Sequence, residues 1–290
     1  MNILILGGDG MLGHQLLLNL KNKYQVRVTL RQPDHFYTQY NLFNNQNSYF
    51  ELDVRDENKL FDIINHFKPN VIINAIGLIK QREVAKNTIP CIEINTLFPH
   101  RLSHLCTEHA IRLIHFSTDC VFSGRKGNYI ENDISDAEDL YGKSKFLGEV
   151  GGPSCLTVRS SLIGLELSRK MGLMEWFLAQ KGVINGFRGA IFSGLTTLEM
   201  CRVIELLLIN YPNLSGVWHV SSEPISKYDL LTQFSEVLGR KDIEIVPEDE
   251  FRCDRSLGSQ AFSKVTHYQA PTWHTMLSEL AEQVKLRNSI

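Results

Sequence analysis

The sequence predicts an α/β fold in which a doubly wound parallel sheet is joined to a smaller carboxyl-terminal domain. Three observations carry this. Short apolar runs alternate with helical patterns through the first half of the chain. A glycine-rich turn separates the first apolar run from the first helical pattern. The 290 residues exceed the roughly 100 to 200 of one ordinary domain, so a companion domain is expected.

Ile3 to Leu6 reads as a short buried strand. It runs into Gly7-Gly8-Asp9-Gly10-Met11-Leu12-Gly13, after which Leu16, Leu17 and Leu20 recur at helical spacing. Gly7, Gly10 and Gly13 let backbone approach a pyrophosphate at a helix amino end, where unpaired N–H groups and the helix dipole favour an anion. Met11 and Leu12 lie within the same turn, which makes Gly7 to Gly13 the candidate dinucleotide site. The second strand, Val26 to Leu30, ends at Arg31. An NAD-selective site places a carboxylate near this point, about 20 residues beyond the glycines. An arginine can instead fork onto a 2′-phosphate, so the sequence leans towards NADPH, with NADH still open and a solvated strand-end arginine as the alternative.

Glu51-Leu52-Asp53-Val54 reads as a third strand ending at an acid, and Leu60, Ile63, Ile64 and Phe67 make an amphipathic helix stopped at Pro69. Val71 to Ile73 is the fourth strand. Asn74-Ala75-Ile76-Gly77 closes it with small residues that let a cofactor pass close to backbone. The next helix is expected around Asn95 to His109, with Pro99 near its start or at a kink. His100 and His104 share its face without a third ligand in register, so no metal site is expected.

Ile111 to Phe116 reads as a buried parallel strand, so Thr118 stands just beyond its carboxyl end, where open α/β sheets bind ligands. Tyr141 and Lys145 are four positions apart; if 139 to 149 is helical, they share one face. A nearby ammonium favours the phenolate and lowers a tyrosine pKa from about 10, which fits Tyr141 as general acid for a carbonyl oxygen. Lys145 would tune it, and Thr118 would hydrogen-bond the same oxygen. A chance Tyr and Lys in a helix is the alternative reading.

Apolar content of 43 % and charged content of 21 % are those of a globular protein. A net charge of −2 argues against a nucleic-acid binder that relies on a broad basic face. Cys91, Cys106, Cys120, Cys155, Cys201 and Cys253 show no C-x-x-C pair and read as reduced thiols in a cytoplasmic protein. Met1 leads directly into a strand, and no apolar run approaches 18 residues, so neither export nor a membrane span is expected. Leu156 to Arg159 and Val217 to Val220 read as strands, and Leu198 to Leu208, Lys227 to Leu238 and Trp273 to Val284 as amphipathic helices. Trp176, Phe177, Phe187 and Phe192 are bulky groups that either line a ligand cleft or fill the core. Arg188, Arg252 and Arg255 are the cationic candidates for a nucleotide diphosphate, Arg255 first.

The glycine turn, the threonine and Y-x-x-x-K together resemble the extended short-chain dehydrogenase/reductase superfamily. The stretches STDCVFSG, YxENDxSDAxDLYGKSKxLGE, LTVRSSLIG, IFSGLTT and Gly-Val-Trp-His narrow this to a resemblance to the dTDP-4-dehydrorhamnose reductase family, especially the branch acting on UDP-linked N-acetylated 6-deoxy-L-sugars. The resemblance implies a Rossmann-type NAD(P)-binding domain over 1–158 plus about 190–215. It implies a smaller sugar-nucleotide-binding domain over about 159–189 plus 216–290. It implies NAD(P)H-dependent reduction of the C-4 ketone of a nucleotide-linked 4-keto-6-deoxy sugar for surface polysaccharide precursors. Thr118, Tyr141 and Lys145 match the family triad. Gly7, Gly10 and Gly13 match the pyrophosphate turn, Asp53 and Val54 the adenine contact, Ala75 and Gly77 the segment beneath the cofactor, and Ser117 and Ser160 further cofactor contacts. Cys120, Trp176, Arg188 and Arg255 are the substrate-side candidates. Cys120 stands where the rhamnose reductases commonly have tyrosine, and Arg252-Cys253-Asp254-Arg255 alters their closing signature, so the sugar nucleotide is a substrate partner of open identity. The superfamily resemblance also implies a homodimer. An epimerase or dehydratase of the same superfamily, or a non-catalytic NADP-binding subunit, is the alternative.

Overall fold

The computed structural model describes residues 1–79 and 87–288. Its main feature is a seven-stranded sheet in the order β11-β6-β5-β4-β1-β2-β3. In chain order these are β1 (Asn2–Leu6), β2 (Gln25–Thr29), β3 (Ser48–Tyr49), β4 (Val71–Asn74), β5 (Arg112–Ser117), β6 (Cys155–Arg159) and, after four short strands, β11 (Gly216–His219). β1 pairs in parallel with both β2 and β4. The chain therefore reverses its direction of winding at β1, which opens a crevice at the carboxyl ends of β1 and β4. Helices α1 (Met11–Leu20), α2 (Glu57–Phe67), α3 (Thr88–Ile92), α4 (Phe98–Glu108) and α5 (Leu140–Leu147) come from the intervening segments.

Residue contacts divide the chain into two compact units. The first holds Met1–Ser117, Asp139–Val158 and Glu205–Val217, and the second Thr118–Glu138, Arg159–Ile204 and Trp218–Ile290. In the first, all of Ile3, Leu4, Ile5 and Leu6 are fully buried. This is why the run is unbroken rather than alternating: a parallel strand covered on both faces has no solvent side. Leu60, Ile63, Ile64 and Phe67 of α2 pack with Leu4, Leu6, Ile72, Leu102 and Leu113 in one core cluster. Each such side chain contributes roughly 1.5–3 kcal/mol through burial. Asp56 caps α2 by accepting the Lys59 N–H at 3.0 Å, and Lys68 ends it at φ 50°, one residue before the proline that cannot continue it.

Two local expectations are corrected. Residues 51–54 are not a strand; the paired strand is Ser48–Tyr49. Glu51 takes a left-handed φ of 59°, and the Asp53 carbonyl accepts the Asp56 N–H at 2.9 Å, so the apolar Leu52 and Val54 are buried by a turn leading into α2. The helix near Asn95 begins earlier than expected, at Thr88, and winds as a π-helix over Glu93–Leu97 before α4 starts at Phe98. Pro99 therefore lies where the π-helix passes into α4.

The second unit contains shorter elements: β7 (Leu162–Ile163), α6 (Leu173–Ala179), β8 (Gly182–Phe187), β9 (Ala190–Phe192), β10 (Leu195–Thr196), the start of α7 (Thr197–Ile209), β12 (Ile225–Ser226), α8 (Lys227–Leu238), β13 (Ile243–Glu248), β14 (Cys253–Asp254), α9 (Gln260–Thr266) and α10 (Trp273–Asn288). β13 and β8 pair in parallel across six positions, Ile243–Gly182 to Glu248–Phe187. β12 and β14 flank β9. Among the described residues no helix is long and apolar enough to cross a membrane.

Candidate active site

The glycine turn forms a cradle with little tolerance. A Cβ at Gly13 would lie 2.0 Å from the Gly7 carbonyl oxygen, and one at Gly8 would lie 2.5 Å from the Val28 side chain. Gly7 itself has φ 85°, a conformation that favours glycine. Gly10 precedes α1 without a side-chain cap, and the first turn of α1 holds no acid. A glycine turn running into the amino end of a helix fits an incoming pyrophosphate. Leu12 is buried and Met11 is half-buried.

Arg31 is exposed just beyond β2, and its charge acts on Asp53. The Asp53 carboxylate is gripped by Arg55 through contacts of 2.9 and 2.7 Å. The Arg55 hydrogen bond holds its pKa down at about 2, so it is ionised throughout the physiological range. Val54 is buried beside it. At the end of β4, Ala75 donates its N–H to the Leu6 carbonyl at 3.1 Å. Gly77 faces the Asn95 side chain, where an added Cβ would sit 3.6 Å from Oδ1.

Asp139 caps α5 by accepting the Gly142 N–H at 2.8 Å. Tyr141 and Lys145 then fall one turn apart on α5. Lys145 is only 4 % exposed. Its ammonium donates to the Phe116 carbonyl at 2.6 Å and lies 3.5 Å from His115 Nε2. Burial pulls its pKa down to about 8, while the charge of Glu149 acts in the opposite direction. At neutral pH it is still mostly protonated. His115, fully buried, is held well below the ordinary histidine range by burial and then by the Lys145 charge. The Asn74 Oδ1 accepts from the Ile76 N–H at 3.1 Å, and its Nδ2 lies 3.1 Å from His115 Nδ1.

The π-helical segment anchors α5 from the other side. Asn95 bonds both the N–H and the carbonyl of Leu78, at 2.8 and 3.1 Å, and reaches Ser144 Oγ at 3.2 Å. Thr96 donates to the Ser144 carbonyl at 2.8 Å. A Cβ at Gly148 would lie 1.8 Å from the Asn95 carbonyl oxygen. The extra residue of a π-turn thus lets Asn95 and the helix carrying Tyr141 and Lys145 approach closely. The Ser117 hydroxyl is committed to Glu149 at 2.6 Å.

In the second unit, Thr118 is buried. Its hydroxyl donates to Asp119 Oδ1 at 2.9 Å and accepts the Cys120 N–H at 3.1 Å. Burial raises the Asp119 pKa, opposed by Thr118 and by the charge of Arg255. Arg255 Nε donates to the Phe122 carbonyl at 2.8 Å, and its Nη1 lies 3.8 Å from the Cys120 sulfur. Arg255 and Cys120 are therefore neighbours, although 135 positions separate them in sequence. Burial drives the Cys120 thiol up to about 12, so it is an un-ionised group. Arg188 stacks over Tyr228 at 5.1 Å and faces Asp249 at 3.6 Å. It lines a cavity of about 540 Å³ with Ser226, Asp229 and Trp273. Trp176 is 39 % exposed, whereas Phe177 and Phe192 are core. The Ser160 hydroxyl donates to the Ser161 carbonyl at 3.4 Å.

The sequence gives no role to Asp9, His115 or Asn95. His115 was hidden in an apolar run, and only a polar residue at a fully covered strand position could have betrayed it. Among the described residues no group of three His, Cys, Asp or Glu is placed to hold a metal.

A glycine cradle at the head of β1, a sheet whose winding reverses there, and a helix bearing tyrosine one turn before a buried lysine define an extended short-chain dehydrogenase/reductase. The chain belongs to the RmlD substrate binding domain family, whose model matches residues 1–163. It is 29 % identical over 259 residues to a dTDP-4-dehydrorhamnose reductase of Aggregatibacter actinomycetemcomitans, covering 84 % of this chain and 82 % of that one. It is 30 % identical to methionine adenosyltransferase 2 subunit beta of Danio rerio, covering 86 % and 77 % respectively. Its fold matches that of a Bacillus anthracis dTDP-4-dehydrorhamnose reductase solved in complex with NADP, with a TM-score of 0.80 at 18 % identity over 97 % of this chain and 99 % of that one.

Proposed function

We propose that this chain is an NAD(P)H-dependent sugar-nucleotide oxidoreductase that reduces the C-4 ketone of a nucleotide-linked 4-keto-6-deoxy sugar. The observation that most supports it is Lys145, buried one helical turn from Tyr141 with its amine on the Phe116 carbonyl and its pKa at about 8. Gly7 to Gly13 with Arg31, Asp53, Val54, Ala75 and Gly77 would hold NADPH, which would supply the hydride when bound. Tyr141 gives the ketone oxygen its proton. The Lys145 ammonium stabilises the phenolate that remains and binds the nicotinamide ribose. Thr118 orients the carbonyl, which requires its hydroxyl to turn from Asp119 to the substrate oxygen. Ser117 and Ser160 complete the cofactor contacts. The first unit carries the dinucleotide and the second the sugar nucleotide, with Cys120, Trp176, Arg188 and Arg255 on the substrate side.

The finer reading is a cytoplasmic homodimer working on precursors of surface polysaccharide. Cys120 in place of tyrosine favours a substrate other than dTDP-rhamnose's precursor, including a UDP-linked 2-acetamido sugar. The likeness to a methionine adenosyltransferase subunit gives a second reading, a binding subunit without turnover. One experiment separates them: NADPH oxidation followed against dTDP- and UDP-linked 4-keto-6-deoxy sugars, with and without 2-acetamido groups. One NADPH consumed per sugar reduced is expected. Product without net cofactor consumption indicates an epimerase or dehydratase, and cofactor binding without product indicates the subunit.

A further inference from the structure

Dinucleotide folds read the adenosine-ribose 2′-oxygen at the carboxyl end of the second strand, where a carboxylate accepts from the hydroxyl of NADH and a cation receives the phosphate of NADPH. Here β2 ends at Thr29, and Arg31 follows without an adjacent acid. Asp34, three residues on, turns its carboxylate to the His35 N–H at 2.7 Å. An acid reaches the place from elsewhere. The glycine turn is tied to the end of β2 by the Gly8 N–H on the Thr29 carbonyl at 2.9 Å. Asp9, next in the turn, takes the Tyr37 hydroxyl on Oδ2 at 3.4 Å, and that hydroxyl accepts the Gln32 N–H at 3.2 Å. Tyr37 is 5 % exposed and is wedged against the Phe43 and Phe50 rings at 5.4 and 6.2 Å, so it is a rigid arm. It holds the half-exposed Asp9 carboxylate beside the backbone that follows Arg31.

We propose that Asp9 is the acid that reads the ribose 2′-position, opposing Arg31, so that this chain accepts NADH alongside NADPH; this rests on the dinucleotide reading of Gly7 to Gly13. The carboxylate accepts the 2′-hydroxyl of NADH and repels a 2′-phosphate, while Arg31, whose charge also serves Asp53, attracts that phosphate. Asp9→Asn isolates the effect, because the amide oxygen still accepts from Tyr37 but the charge is gone.

The test is titration of the full-length chain with NADPH and with NADH, read by nicotinamide fluorescence and without any sugar. Asp9→Asn should raise the preference for NADPH over NADH roughly tenfold at low salt, with a smaller change at high salt where the repulsion is screened. Tyr37→Phe should move the ratio the same way but less, and Arg31→Ala the opposite way. Asp9→Ser gives the same reading should the amide disturb the turn. A ratio unchanged within twofold in folded Asp9→Asn and Asp9→Ser overturns the inference and leaves the dinucleotide reading standing. Failure of the unaltered chain to bind either cofactor overturns both. A shifted ratio in a chain that reduces no sugar ketone upholds the inference and removes only the reductase reading.

Discussion

Gly13→Ala is the smallest perturbation that tests whether the glycine turn is a cofactor cradle. The added methyl would stand 2.0 Å from the Gly7 carbonyl oxygen and 3.0 Å from the Gly8 Cα. Ordinary contact begins near 3.4 Å, so the turn and the first turn of α1 must separate by about 1.4 Å. Neither side can yield cheaply, since both are backbone and the turn is tied to β2 by the Gly8 N–H on the Thr29 carbonyl at 2.9 Å. Overpacking of this kind costs roughly 1–3 kcal/mol of stability. Displaced N–H groups should weaken NADPH binding by on the order of 100-fold, since a 1 Å misplacement of a positioning group has consequences of that size. Denaturant midpoints and fluorescence titration measure the two effects separately. Gly10→Ala, whose methyl would meet the Gly7 oxygen at 3.3 Å, should be milder, and Gly152→Ala, with nothing within 4 Å, should leave cofactor binding unchanged. Normal cofactor affinity in Gly13→Ala would refute the reasoning.

Gly148→Ala should disturb α5 against Asn95 and lower kcat more than it weakens cofactor binding, which steady-state kinetics alongside titration will show. Burial lowers the Lys145 pKa from the ordinary 10.5 to about 8, so the unfolded chain holds its proton more tightly. Its contribution to stability must rise between pH 8 and 10.5, and chemical denaturation of Lys145→Met should lack that rise. His219, lowered to about 4 by burial and then by Arg159, acts at the acid end. The unfolded chain binds its proton first, so stability is lost as pH falls from 6.5 towards 4, and His219→Gln should flatten that limb of a melting-temperature profile. Arg255→Ala should raise KM for the sugar nucleotide at least tenfold with little change in cofactor affinity; equal KM values would remove Arg255 from the substrate site.

The first unit was largely legible because its signals are local and strong. Fully apolar runs mark covered parallel strands, and Gly7 and Gly13 mark a turn that only glycine can make. The turn at 51–54 was misread since Leu52 and Val54 are buried as strand residues are, while the left-handed φ of Glu51 leaves no trace in composition. The π-turn at Glu93–Leu97 was invisible because its cause is the tertiary contact of Asn95 with Leu78 and Ser144. Much of the second unit escaped for a similar reason: strands of two or three residues such as β9 and β14 carry no periodicity. Asp9 carries no signal of its own in the sequence, because what places its carboxylate is Tyr37, 28 positions away.

The central claim is that the Tyr141 phenol, beside the Lys145 ammonium, delivers the proton that completes ketone reduction. Single-turnover reduction by Tyr141→Phe, measured with the NADPH dissociation constant of the same preparation, addresses it most directly. A rate reduced by at least about 100-fold with cofactor affinity within a few-fold of the unaltered chain is the predicted result. A rate close to that of the unaltered chain would contradict the account.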